Sequence, residues 1–288
     1  MELRQLEHFV AVVEHSGFTA AAGSVDLSQS ALSASIRGLE RDLGATLFSR
    51  TTRRVGLTVA GSELLPAARR LLNEARRARE VVAAVSELAG GSLSVGTVQT
   101  LTAVDLPTEL ARFRRAHPGV EISLSEAPSA QLLEALRLGD VHLAYVARDA
   151  TPLPADLQLV QEFSEELVLV TDPGHPLAGS SRVSPGRLRD EHFVDFRAGM
   201  GLQTVVQDLC ARWGLDRRIS ARVSQMDQAL ALVGTGLGVA IVPRSVVRHD
   251  GLPIARFAGP APRRAVALLT REPVNPAARV LLDQLTAD

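Results

Sequence analysis

The feature that most restricts the possible folds is an internal repetition. The stretch "AQLLEALRLGDVHLAYV" (130–146) is answered about 100 residues later by "DQALALVGTGLGVAIV" (227–242): a helical segment, a glycine turn, then an apolar run of strand type. The flanking elements recur in the same order. In the first copy they are the strand "LSVGTV", a helix from Thr102 to Ala116, an "HPG" turn, a strand from Val120 to Ser125, the helix Ala130 to Leu138 and the strand Val141 to Val146. In the second they are "FVDF", a helix from Leu202 to Trp213, a strand from Ile219 to Val223, the helix Asp227 to Val233 and "GVAIV". Strands alternating with helices predict a parallel α/β arrangement, and repetition of the whole unit implies two similar lobes. Strands at Gln158 to Glu162 and Ala255 to Phe257 are expected to cross between them, and "RRAVALLT" with a helix from Pro276 to Ala287 to return to the first. Small molecules tend to bind in the cleft that two such lobes leave.

A chain of 288 residues, 46% hydrophobic and 22% charged, can bury more than one core. The start "MELRQLEHFVAVVEHSG" is no basic leader, and no run approaches 18 uninterrupted apolar residues, so neither secretion nor membrane spanning is expected and the cytoplasm is the predicted location. Cys210 is the single cysteine, which rules out a disulfide or thiolate cluster within these residues; "DLCARWG" reads as a small buried hydrophobe. Every basic residue other than histidine is arginine, whose planar fork suits phosphate and guanine. The net charge of −1 would disfavour a polyanionic partner were it evenly spread. It is not, because Leu32 to Thr58 alone carries +3.

That basic footprint coincides with three short helices and a ribbon. Leu3, Leu6, Phe9, Val10 and Val13 recur at helical spacing, with Gly17 expected as a left-handed cap. Thr19 is expected to cap a second helix through Ala20 to Val25, and Ser28 a third. In the third, "SQSALSASIRGLERDLG", Leu32, Ile36, Leu39 and Leu43 form one stripe, while Ser30, Ala34, Arg37 and Arg41 lie opposite with Ser33 beside them. The leucine stripe is core. A solvent face so small and sparsely charged fits a helix that enters a major groove about 12 Å wide, where slim side chains clear the walls and a few donors reach bases and phosphates. In "ATLFSRTTRRVGLT" two short apolar pairs flank a basic tip, a two-stranded wing presenting Arg50, Arg53 and Arg54 either to phosphate or to a minor groove.

Taken together, "FVAVVEHSGFTAAAGSVDLSQSALSASIRGLERDLGATLFSRTTRRVGLTVAG" resembles the winged helix-turn-helix of LysR-type transcriptional regulators. The "LSQSALS" entry, the "LE-x-x-LG" exit and the "LF-x-R-x-x-R" wing stand in order; the chain departs from the family pattern at Ser30, Ala34 and Ser35. The resemblance implies that Ser28, Gln29, Ser30, Ser33, Ala34 and Arg37 approach the major groove, with Arg50, Arg53 and Arg54 on the wing. Residues 91 to 288, through "LALVGTGLGVAIVP", are similar to the family's effector domain, itself like periplasmic solute-binding proteins of type 2 with two Rossmann-like lobes. Carried over, the effector cleft involves Gln99, Thr100, Leu101, Ser129, Phe196, Gly201, Leu202 and Met226, with Arg148 and Arg197 either receiving an effector carboxylate or lying on the surface. His142 stands where the family often has an acidic or small residue, and the sequence assigns it no purpose.

Thr58 to Ala89 reads as one helix of about 45 Å. Leu64, Ala68, Leu71, Ala75, Ala78, Val82, Val85 and Ala89 alternate at spacings of four and three, a coiled-coil seam, with Arg69, Arg70, Arg76, Arg77 and Arg79 off it and Pro66 near its start. A homodimer through this helix is expected, and hence an operator with an inverted repeat; the resemblance adds homotetramers and contact with RNA polymerase. The expected organisation is therefore a DNA-binding domain at 1–58, a linker helix at 59–89 and an effector domain at 90–288, its lobes being 91–160 with 264–288 and 161–263.

Other chemistries find little support. "GTGLG" follows a helix and precedes a strand, the reverse of the order that cradles a dinucleotide, and no "HExxH" or "GxSxG" is present. Glu165 and Glu166 read as solvated residues opening a strand. No cofactor, no metal and no enzymatic activity are expected; the rival is a two-lobed solute-binding protein without a regulatory role.

Overall fold

The computed structural model describes residues 1–51, 54–85, 91–148, 153–248 and 251–286. The chain forms two compact units, residues 1–87 with 138–140, and the remainder. In the first unit α1 (Leu3–Glu14), α2 (Phe18–Ser24) and α3 (Gln29–Leu43) precede a ribbon, β1 (Phe48–Thr51) and β2 (Arg54–Leu57), and then the long α4 (Val59–Val85). The ribbon is antiparallel, with Phe48 opposite Leu57 and Arg50 opposite Val55. The unit's core is mainly apolar: Leu6, Phe9, Val12, Leu32, Ile36 and Leu39 are fully buried, and the Phe48 ring packs on Phe9 and Phe18.

Local chemistry explains the helix ends, with two departures from expectation. Ser16, not Gly17, takes the left-handed conformation after α1 (φ 52°), while Gly17 is extended at φ 176°. Thr19 lies inside α2 rather than capping it, because the helix starts two residues earlier, after Gly17. Thr58 caps α4 by accepting from the Gly61 N–H at 3.0 Å and donating to the Thr46 carbonyl at 2.7 Å. Gly61 cannot be replaced there, since a Cβ would stand 2.2 Å from the Leu47 carbonyl oxygen.

Among the described residues, the seam of α4 is packed in the chain's own core only at its N-terminal end. Ala68 is fully buried and Leu64 packs beside it in the core of the first unit. These two positions are therefore used within the chain. Further along, Leu71 is 46% exposed and Ala78 exposed. The side chains of Val82 and Val85, and all of Ala89, lie outside the described residues.

The second unit contains β3 (Gly91–Thr97), α5 (Leu106–Ala116), β4 (Val120–Glu126), α6 (Ser129–Leu138), β5 (Leu143–Arg148), β6 (Leu157–Val170), β7 (Arg182–Val183), β8 (His192–Phe196), α7 (Gly201–Arg212), β9 (Arg218–Val223), α8 (Met226–Gly234), β10 (Ala240–Pro243), β11 (Ile254–Phe257), β12 (Arg263–Arg271) and α9 (Pro276–Thr286). The expected helix from Thr102 begins only at Leu106, where Asp105 caps it by accepting from the Thr108 N–H. The first lobe is ordered β4-β3-β5-β12-β6, with its parallel core at β4-β3-β5. Apolar clusters cover both faces, one against α5 and α9, the other against α6.

One strand serves both lobes. From Leu157 to Glu166, β6 pairs with β12; from Leu167 to Val170 it pairs with β10. The crossing thus falls at Glu166 and Leu167, beyond the expected 158–162, and β11 is no crossover, being paired with β6 at Val170 and with β7. The second lobe's core runs through Leu167 to Val170, Phe193, Phe196, Leu202, Val206, Val233 and Ile241. The glycines of "GTGLG" answer packing: Gly236 has φ 77°, and a Cβ on Gly238 would sit 2.5 Å from the His192 carbonyl oxygen.

Candidate functional site

Two regions gather the candidate residues, one in each unit. The first is the outer face of α3. Ser28 caps the helix, its Oγ accepting from the Ala31 N–H at 3.2 Å and lying 3.0 Å from Ser30 Oγ; Gly44 closes the other end at φ 65°. With the aliphatic stripe inward, Ser28, Gln29, Ser30, Ala34, Arg37 and Arg41 are exposed, and Ser33 is half-buried. Ser35 faces inward instead, 2.7 Å from His8 Nδ1, and burial holds His8 below the usual histidine range. Glu40 is also turned to the fold: its Oε1 accepts from the N–H groups of Leu47 (2.8 Å) and Phe48 (3.5 Å), which fixes where the ribbon starts relative to α3. Arg53, and the side chains of Arg50 and Arg54, lie outside the described residues.

The second region is the cleft between the lobes, where Val98, Gln99, Thr100, Ala127, Pro128, Gly199, Met200 and Gly201 line a narrow cavity of about 20 Å³. Its walls are the loop after β3, the turn before α6 and the start of α7. They approach closely: a Cβ on Gly201 would stand 2.3 Å from the Ala147 Cβ and 3.9 Å from Ser129 Oγ. Ser129 Oγ in turn accepts from the Ala147 N–H at 3.0 Å. The structure therefore brings together Gln99, Thr100, Ser129 and Gly201.

Other predicted residues are placed elsewhere. Phe196 and Leu202 are buried in the second lobe's core, because the positions that face the cleft alternate with ones that face inward along strand and helix alike. Leu101 is half-buried against the first lobe's apolar clusters, and Met226 against the second lobe's. Arg148 is ion-paired with Glu162 at 3.3 Å, whereas Arg197 is exposed. His142 braces the sheet, its Nδ1 accepting from the Ser94 N–H at 3.1 Å.

The largest departure concerns Glu165 and Glu166. Far from being solvated, Glu165 is 9% exposed and pairs with the 3% exposed Arg264 at 2.7 Å. Thr102 and Ser245 donate to its Oε1 at 2.5 and 3.0 Å. Arg264 donates to Thr100 Oγ1 at 2.8 Å, to the Thr100 carbonyl and to Thr102 Oγ1 at 3.0 Å. Burial pulls the Arg264 pKa down, opposed by Glu165. Glu166, on the opposite face of β6, pairs with Arg256 at 3.1 Å and Arg244 at 3.5 Å. The cleft loop is thus fastened to the crossing point of the two lobes by buried charge. The available signal was the "EE" and "RR" dipeptides, each opening an apolar run, whose opposite charges meet once β6 and β12 pair antiparallel.

Among the described residues no three His, Cys, Asp or Glu side chains are grouped to hold a metal ion, and no helix is long and apolar enough to cross a membrane.

Comparison with known proteins accounts for both regions. Residues 3–62 match the bacterial regulatory helix-turn-helix protein model of the lysR family, and residues 86–288 the LysR substrate binding domain. A probable hydrogen peroxide-inducible genes activator from Mycobacterium avium is 34% identical over 271 residues, covering 92% of this chain and 86% of that protein. The DNA-binding transcriptional dual regulator OxyR of Escherichia coli K12 is 31% identical over 278 residues, covering 94% and 90%. Among solved structures, CbnR in complex with its target DNA superposes with a TM-score of 0.71 at 28% identity, covering 99% of this chain and 98% of that one. A full-length OxyR variant from Pseudomonas aeruginosa gives 0.76 at 24% identity, covering 99% and 94%, which speaks for the fold alone.

Proposed function

Because the chain belongs to the LysR family of DNA-binding transcriptional regulators, we propose that α3 lies in the major groove with Gln29, Ser30, Ser33 and Arg37 toward the bases, and that a ligand in the cleft at Gln99, Thr100, Ser129 and Gly201 controls promoter binding. Its relatives are regulators rather than enzymes. The observation that carries the reading of α3 is the contrast between its faces: Leu32, Ile36 and Leu39 are fully buried, while the opposite stripe exposes small side chains and two arginines. Two copies pair through α4 beyond Ala68, where Leu71 and Ala78 are exposed, and the paired heads meet an inverted repeat. The domains we assign are 1–58, 59–89 and 90–288, acting in the cytoplasm, where the promoter is.

The names of several relatives tie them to hydrogen peroxide. In this chain Cys210 is the single cysteine; it is 2% exposed, and burial pushes its thiol up to about 11. Thiolate is the reactive form, so it is scarce here near neutral pH, and no second thiol within these residues can complete a disulfide. We infer that the signal is a ligand held non-covalently. The ligand acts by binding two arrangements of the lobes with different affinity.

Genomic footprinting with the full chain tests this reading. It should protect sites containing an inverted repeat, and protection should be the same after peroxide treatment. The absence of any protected site overturns the regulatory reading, and peroxide-dependent protection that Cys210→Ser abolishes overturns the non-covalent one.

A further inference from the structure

The length of α3 raises a question that groove entry alone does not answer. The helix has 15 residues, and Ser30 to Arg41 spans about 16 Å at 1.5 Å per residue, more than the roughly 12 Å width of a major groove. With Ser30 among the bases, Arg41 stands at the far wall, where the phosphates are. At that place the structure has an open groove of about 580 Å³ lined by Ala34, Arg37, Glu40, Arg41, Ala45 and Thr46.

The acids of α3 both turn away from phosphate, and only Glu40 lines the groove. Glu40 is spent on the backbone N–H groups of Leu47 and Phe48. Asp42 is 2.8 Å from the α-amino group of Met1, whose hydrogen bond and charge hold the carboxyl below the usual range. Arg37 and Arg41, four residues apart and one turn from each other, are exposed on the same stripe, and Thr46 is exposed on the facing loop. Arg37 and Arg41 outnumber Glu40, the one carboxylate among the described residues that line the groove, so the wall is net positive although the helix carries two arginines and two acids.

We propose that the groove between the C-terminal half of α3 and the loop Gly44 to Thr46 seats one sugar–phosphate strand of the duplex, with Arg41 giving a charged contact to phosphate and Thr46 a neutral one. This rests on α3 being the DNA-reading helix, and it extends the contact surface past Arg37. Neither residue reads sequence: both hold the helix at its depth and angle.

The test is fluorescence anisotropy of the full chain with a labelled random-sequence duplex of about 40 base pairs, titrated between about 50 and 200 mM NaCl. Each phosphate neutralised contributes about 0.9 to the slope of log affinity against log salt. Arg41→Ala should flatten the slope by about that amount, equally on a footprinted site and on random duplex. Thr46→Ala should weaken binding to both duplexes with the slope kept. Arg279→Ala, on α9 of the other unit, serves as control, and circular dichroism melting should be unchanged for the exposed positions 41 and 46. A wild-type slope for Arg41→Ala overturns the proposal, as does an equal flattening by Arg279→Ala, which would reduce the effect to net charge. If the wild-type chain shows no salt-dependent binding to any duplex, what fails is the assignment of α3 itself.

Discussion

Replacing Arg264 with methionine keeps an unbranched apolar stem and removes the guanidinium and its charge from the buried network at the lobe crossing. Glu165 would then be left 9% exposed, facing only the Thr102 and Ser245 hydroxyls. A buried carboxylate that loses its partner costs about 3–5 kcal/mol. The Thr100 carbonyl, deprived of its guanidinium donor, adds about 1 kcal/mol. The two hydroxyl donors that remain on Glu165 offset part of this, so the expected net loss is about 3–4 kcal/mol. That is a large fraction of a typical stability of about 5–15 kcal/mol, yet it leaves the unit folded in most of that range. With an m-value of about 2 kcal/mol per molar, the urea midpoint should fall by about 1.5–2 M.

Trp213 makes the measurement clean. It is the single tryptophan, and its ring packs 4.8 Å from Phe257 within the same unit, so its fluorescence follows that unit's unfolding. The reasoning makes a second demand. Adding Glu165→Gln to Arg264→Met removes the orphaned charge and should return about 2 kcal/mol, a strongly non-additive cycle. An Arg264→Met midpoint within about 0.5 M of wild type, or a double variant less stable than Arg264→Met alone, would show that the pair is not the buried, mutually dependent unit described.

Two further outcomes are expected. Arg37→Ala should cost about 1–3 kcal/mol on a footprinted site and less on random duplex at the same salt, measured by anisotropy, if the guanidinium reads a base; equal losses would assign it to phosphate. Gly201→Ala should force the lobes apart at Ala147, lowering the melting temperature by several degrees, and Ala147→Gly should restore it in the double variant; no rescue would mean that the close approach is not what limits position 201.

The chain's patterns disclosed some of this and concealed the rest for identifiable reasons. The cap at Ser28, the two faces of α3 and the antiparallel ribbon depend on neighbours within a few turns, so periodicity and cap chemistry suffice to read them. The network of Glu165, Arg264, Thr100 and Ser245 joins four separate elements, and in one dimension a paired buried carboxylate looks the same as a solvated one. The resemblance assigns Phe196 and Leu202 to the cleft as whole positions, without saying which way each side chain turns. Their side chains obey the alternation of strand and helix instead, and face inward. The seam of α4 was read as continuous, although Leu64 and Ala68 are claimed by the helix's own domain, a competition that spacing alone does not reveal.

That competition has a mechanical consequence. With Ala68 buried in the core, Leu64 and Leu72 packed against it and Arg69 bound to Glu14 at 3.2 Å, the N-terminal half of α4 is rooted in the fold that carries α3. Such a helix is a lever about 40 Å long with no slack at its fixed end. A tilt of about 5° sweeps its far end through some 3–4 Å, comparable to the rise of one base pair, so in the dimer we propose a small reorientation where two such levers meet would decide whether both heads fit the spacing of a promoter's half-sites.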